Sequence, residues 1–220
     1  MRKKKSLALE VAGLNFANPV GLLQGPEGFK KCPLWAPKAG FTIATPPKDH
    51  FIEWSIKLPK ITDGVLAINL SSDIVRSFSL LYDFAHLIIL DPDSDNGIRS
   101  ADISDITELI DEIVSLRLCY ERYTPVFLRL SHAETPDDIR PLCSYARLSG
   151  LDGLVAPDAE KVRLTLAECQ YRVPVIGVAE DAETALQELQ DGASLVQTQL
   201  GPLALRKLLK TLETPHKEND

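Results

Sequence analysis

Short apolar runs with β-branched residues recur along the chain, and each is followed by a segment of helical period. The runs are Val20–Leu23, Phe41–Thr45, Val65–Leu70, Leu87–Asp91, Val126–Leu130, Gly153–Ala156, Val175–Val178 and Ser194–Thr198. Several are apolar on both faces, as in parallel strands that helices cover. Most begin about 20 to 27 residues after the last, the length of one strand–helix unit, and the fourth unit is longer. Between them, Ile103 to Tyr120 carries Ile106, Leu109, Ile110, Ile113, Val114 and Leu116 at spacings near three and four. Thr135 followed by Pro136 reads as an N-cap and first helical position. Glu180-Asp-Ala-Glu183 places acids at the positive start of another helix, and Leu203 to Leu212 forms the last. Eight such units without a composition break predict a single α/β domain, a closed (βα)8 TIM barrel. The runner-up is an open doubly wound sheet, which usually has fewer strands.

Before the first run, Leu7, Leu9 and Val11 alternate, Ala12-Gly13 is a turn signal, and Leu14-Asn-Phe16 follows. This predicts a small β-hairpin that plugs the bottom of the barrel. Residues 1–6, with the basic run Arg2 to Lys5, read as a solvated leader. The stretch after it contains Glu10 and Asn15 and lacks the apolar core of a signal peptide. The barrel is expected over 7–213, with a polar tail over 214–220.

Composition narrows the function classes. The chain has 220 residues, 45% of them hydrophobic, enough to bury a core in one domain. A net charge of −7 argues against nucleic acid, whose phosphates are held by clustered Lys and Arg. No apolar stretch approaches the ~20 residues that cross a membrane. The four cysteines, Cys32, Cys119, Cys143 and Cys169, form no Cys-x-x-Cys pair. Their spacing suits free, mostly buried thiols in a cytoplasmic protein.

The phrase Leu9-Glu-Val-Ala-Gly-Leu-Asn-Phe-Ala-Asn-Pro-Val-Gly21 resembles the opening of dihydroorotate dehydrogenases, and Gly192-Ala-Ser-Leu-Val-Gln197 resembles a segment near their end. Between them the order also fits: Lys38-Ala-Gly-Phe41, Ile68-Asn69, Gly97-Ile-Arg99, Pro125-Val-Phe-Leu128, Gly150-Leu-Asp-Gly-Leu154 and Pro174-Val-Ile-Gly-Val178. The resemblance covers about residues 7 to 212, in a chain shorter than the family norm. It implies flavin mononucleotide (FMN) at the top of the barrel, a Ser or Cys base that takes a proton from dihydroorotate, and a role in pyrimidine biosynthesis.

Matched motif by motif, the chain departs from that pattern. The family base lies in an Asn-x-Ser-Ser/Cys-Pro-Asn motif after the fourth strand; anchored on Gly97 and Arg99, its position here is Pro92, which cannot accept a proton. Asp91, Asp93 or Ser94 are the possible substitutes, against the plainer reading of a solvated Asp-rich turn. Arg129 stands where the family has a flavin-contacting lysine; it is either a cofactor residue or an inward arginine paired with a carboxylate. Asp158 replaces a substrate-binding amide and would meet anionic orotate with like charge. Gly177-Val-Ala179-Glu180 stands where the family has Gly-Val-Gly-Gly, whose glycines let backbone N–H groups approach the FMN phosphate. Asn69 matches a flavin-contacting asparagine, or else bonds neighbouring loop backbone, and Lys30 matches the substrate lysine if an insertion is allowed.

Other chemistry is sparse. His50 and His132 fall after strands, on the functional face of a barrel, but no spacing with Asp158, Glu180 or Asp181 marks a metal site. Two functions remain: a non-redox, pseudoenzyme-like descendant that binds a metabolite or a partner protein, and an FMN-dependent oxidoreductase with diverged residues. In either case a small molecule is expected at the C-terminal face. The resemblance also implies a homodimer, for which Trp35, Phe51 and Trp54 are the candidate anchors if they are not core.

Overall fold

Alternation along each strand decides what fills the barrel. The computed structural model describes residues 6–24, 38–47, 64–92, 103–131 and 134–214. An antiparallel hairpin, β1 (Leu9–Val11) and β2 (Leu14–Phe16), comes first. Eight parallel strands then close on themselves: β3 (Val20–Gln24), β4 (Phe41–Ala44), β5 (Val65–Leu70), β6 (Leu87–Leu90), β7 (Val126–Arg129), β8 (Gly153–Ala156), β9 (Val175–Ala179) and β10 (Leu195–Thr198). Pairing of β10 with β3, Val196 opposite Val20, completes the cylinder. All eight apolar runs are therefore strands, and the open sheet is ruled out. Residues 1–5 of the leader, residues 215–220 of the tail, and the aromatic residues Trp35, Phe51 and Trp54 lie outside the described residues, as do His50 and His132.

The described helices are α1 (Ile74–Leu81), α2 (Ile103–Arg117), α3 (Pro136–Ser149), α4 (Ala159–Glu168), α5 (Ala182–Asp191) and α6 (Pro202–Leu212). The apolar period predicts α2 to run to Tyr120. It ends at Arg117 because Leu118, Cys119 and Tyr120 tighten into turns bonded three residues back. Thr135 and Pro136 open α3 as expected, with the Asp138 carboxylate accepting the Thr135 N–H at 3.0 Å and its hydroxyl at 2.8 Å.

Inside the cylinder, Phe41, Ile43, Val65, Ala67, Leu87, Ile89, Phe127, Val155, Ile176 and Leu195 form one buried cluster. Val11 and Phe16 of the hairpin belong to the same cluster, so the hairpin plugs this end. An eight-stranded barrel has room for side chains and little else. Two bulky rings need the space of a missing side chain: a Cβ on Gly21 would lie 2.3 Å from the Phe41 ring, and one on Gly153 would lie 2.0 Å from the Phe127 ring. Outside, at the N-terminal end, Arg117 clamps β7 to β8. It donates to Asp152 Oδ2 at 2.7 Å and to the Gly150 carbonyl at 2.7 Å, while the same carboxylate accepts the Val126 N–H at 2.8 Å.

Gly177 serves a third role. Its open side faces α5, where a Cβ would lie 2.2 Å from Glu188 Oε2. Glu188 is fully buried there, and neither carboxyl oxygen has a hydrogen-bond partner among the described residues. Burial, and then the negative charges of Asp158 and Asp191, push its carboxyl up to about 7.

Two outcomes follow from this packing. Gly153→Ala forces the Phe127 ring out of place and costs about 1–3 kcal/mol, read as a lower urea midpoint at unchanged slope. Glu188 makes stability depend on pH. Between its ordinary 4.5 and about 7 the folded chain holds a proton that the unfolded chain has released, so stability falls as pH rises through that window. The slope is on the order of 1 kcal/mol per pH unit. Glu188→Gln flattens it and is the more stable protein above the window; urea melts across the range check this.

Candidate functional site

The inward positions of the strands are apolar until their C-terminal ends. There Asn69 closes β5, Asp91 follows β6, Arg129 ends β7 and Gln197 lies on β10. These four side chains meet inside the barrel mouth. Asn69 Nδ2 donates to Asp91 Oδ2 at 3.0 Å, Arg129 Nε lies 3.3 Å from the same oxygen, and Arg129 Nη2 donates to Gln197 Oε1 at 2.9 Å. Asn69 Oδ1 is buried without a hydrogen-bond partner among the described residues. Burial pulls the Arg129 guanidinium below its ordinary range, and the Asp91 carboxylate opposes that pull.

Of the residues singled out in the sequence, Asn69, Asp91 and Arg129 are thus brought together. Arg129 is the inward arginine paired with a carboxylate, and Asp91 is that carboxylate. Pro92 follows as a half-buried turn residue, so the position matched to the family base carries a pyrrolidine ring. Gln197 joins them as a site residue that the sequence motifs do not single out, although it ends the segment Gly192-Ala-Ser-Leu-Val-Gln197. The signal was its phase: it shares the inward face of β10 with Leu195 and is the polar member of that pair.

Beside Gln197 a recess of about 380 Å³ opens, lined by Leu23, Val178, Ala179, Glu180, Thr198 and Gln199 as well. A second recess of about 410 Å³ lies at the other end, among Leu7, Leu9, Leu186, Leu189 and Leu212. Among the described residues its lining carries no charge, and chemistry on this architecture belongs to the C-terminal mouth.

The loops around the mouth place the remaining candidates. Asp158 is the N-cap of α4, and its Oδ1 accepts the Lys161 N–H at 2.8 Å. Asp181 is the N-cap of α5, and its Oδ1 accepts the Glu183 and Thr184 N–H groups at 2.9 and 2.8 Å. Those bonds, led by Thr184, hold the Asp181 carboxyl below the usual carboxylate range. Ala179 is buried at the end of β9 and Glu180 is exposed at the rim. Gly177 sits lower, with its open side filled by Glu188. Lys30, Asp93 and Ser94 lie outside the described residues. Among the described residues no His, Cys, Asp or Glu cluster is arranged to hold a metal, and no helix is long and apolar enough to cross a membrane.

FMN, the cofactor implied by the resemblance, needs open backbone N–H groups for its phosphate. At the start of α5 the Glu183 and Thr184 N–H groups are already bonded to Asp181, beside the charge of Glu180, and Ala179 carries a side chain where the family has glycine. The residues present at this end of the site do not fit the phosphate.

No protein-family model matches the chain. The dihydroorotate dehydrogenase (quinone) of Chelativorans sp. (strain BNC1) is 25% identical over an alignment of 279 residues, covering 90% of this chain and 77% of the relative. That alignment is longer than the chain itself, so stretches of the relative have no counterpart here. The enzyme of the same name from Aeromonas hydrophila subsp. hydrophila is 24% identical, covering 87% of this chain and 81% of the relative. In fold, the ligand-free dihydroorotate dehydrogenase of Eimeria tenella superposes with a TM-score of 0.79 at 17% identity, over 96% of this chain and 88% of that one. With the motifs in the same order along one closed barrel, the chain is similar to dihydroorotate dehydrogenases in sequence and shares their fold, in a shortened form.

Proposed function

We propose that this chain is a non-redox descendant of the dihydroorotate dehydrogenases that binds a small molecule at its barrel mouth and does not retain FMN. The observation that carries the reading is the Asp181 carboxylate at the N-terminus of α5. It accepts the Glu183 and Thr184 N–H groups and sets a negative charge at the helix start where an anionic phosphate would sit. Glu180 adds like charge at the rim, and Ala179 brings a side chain where the family has glycine. Pro92 supports the loss of proton abstraction, since a pyrrolidine ring has no basic group in a peptide. Asp158, matched to the substrate amide, is engaged as a helix cap. The ligand would instead meet the Arg129–Gln197 pair and the recess beside it.

One observation favours a second reading, an FMN-dependent dihydroorotate dehydrogenase of pyrimidine biosynthesis. Asn69 and Arg129, matched to flavin-contacting positions, do converge in the mouth. In that case the flavin ring is held while its phosphate is displaced. The proposal extends to a homodimer in the cytoplasm; a monomeric mass by light scattering at tens of micromolar rejects the dimer.

Titration of FMN into the purified protein decides between the two readings. The expected outcome is no quenching of flavin fluorescence at micromolar protein and no dihydroorotate oxidation. Quenching with sub-micromolar affinity, or bleaching of bound flavin by dihydroorotate, overturns the proposal. Ala179→Gly with Glu180→Gly raises FMN affinity by roughly tenfold or more, and adding Asp181→Ser, which keeps a cap without its charge, raises it further. No change in either variant means that this loop is not the obstacle.

A further inference from the structure

Cys143 and Cys169 are far apart in sequence, and the fold brings them together. Cys143 lies on the buried face of α3, and Cys169 is the C-cap of α4. Both are fully buried in the same apolar cluster. One carbonyl registers the pair: Thr165 O accepts the Cys169 N–H at 2.9 Å and is approached by the Cys143 thiol at 3.8 Å. With both residues gathered on the Thr165 carbonyl, the neighbouring Cys143 thiol draws the Cys169 thiol below the usual cysteine range against the opposing effect of burial. Arg147, one turn beyond Cys143, favours the Cys169 thiolate, while Glu168 opposes it. Cys143 is pushed up by the same contact.

A second feature bears on access. Immediately after Cys169, Gln170 and Tyr171 have φ of 53° and 55°, the left-handed region that non-glycine residues avoid. Tyr171 is 68% exposed. A strained, exposed turn next to a buried thiol is where local opening is cheapest, and it offers a small oxidant a way in.

We propose that Cys143 and Cys169 are a redox-active dithiol that closes an intrachain disulfide between α3 and the end of α4 when the protein meets hydrogen peroxide. Cys169, as thiolate, attacks one peroxide oxygen; the O–O bond breaks, the first water leaves after protonation, and Cys169 becomes a sulfenic acid. Cys143 then attacks the Cys169 sulfur. The S–S bond forms, the S–O bond breaks, and the second water leaves with the Cys143 proton. The two sulfurs lose two electrons and the peroxide gains them. Cys169 is the attacking thiol and Cys143 the resolving one.

Peptide mapping of the full chain under non-reducing conditions, after peroxide and alkylation, tests this. The expected result is a linked pair of peptides carrying Cys143 and Cys169, lighter by two hydrogen atoms and restored by dithiothreitol. The oxidised protein melts several degrees higher than the reduced one, as a cross-link between packed helices should make it. In Cys143→Ala the bridge is absent and Cys169 sulfenic acid accumulates, trapped by dimedone. Free, alkylated Cys143 and Cys169 after peroxide overturn the proposal, as does Cys169 sulfinic acid formed while Cys143 remains a thiol. If Cys143→Ala does not fold, the wild-type map alone decides the question.

Discussion

Everything in this fold depends on filling a closed eight-stranded cylinder with side chains. The barrel leaves no interior space to spare, so Phe41 and Phe127 are admitted only because Gly21 and Gly153 stand opposite them. The hairpin then seals the N-terminal end with Val11 and Phe16. An interior packed this way leaves one place where polar groups can enter, the C-terminal mouth. The inward series duly changes from apolar residues to Asn69, Asp91, Arg129 and Gln197 at that end.

The mouth is held by charge pairing rather than by apolar contact. A guanidinium taken out of water needs a partner, and Asp91 supplies it while anchoring Asn69. The helix starts around the rim are treated in the same way. Asp158, Asp181 and Asp138 each hold backbone or side-chain donors at the start of a helix. Acids at these positions stabilise the helices. At α4 and α5 they also take up backbone N–H groups that would otherwise point into the mouth unbonded.

A buried acid appears once more, at Glu188, without a partner for either oxygen. It lies against Gly177, within reach of the field of Asp158 and Asp191. The residue is polar on an otherwise buried helix face, and no group among the described residues compensates it. Its place in the fold is a penalty that is smallest when the carboxyl carries its proton.

The apolar runs and their spacing were enough to determine the barrel, because strand burial on both faces and helix periodicity are local signals. The hairpin, the Thr135 cap and the acidic start at Glu180–Glu183 were legible for the same reason. Residue identity also showed that Pro92 cannot act as a base. The partnerships were not legible. That Asp91 holds Arg129, that Gln197 joins them, that Gly177 faces Glu188 and that Cys143 meets Cys169 all depend on strand register and helix docking. Those bring residues from distant parts of the chain within bonding distance. Asp158 read as a charge facing a ligand, and only the geometry of the helix start made it a cap. Sequence carries the period of each element, but which side chains share a space is decided by how the elements close around the core.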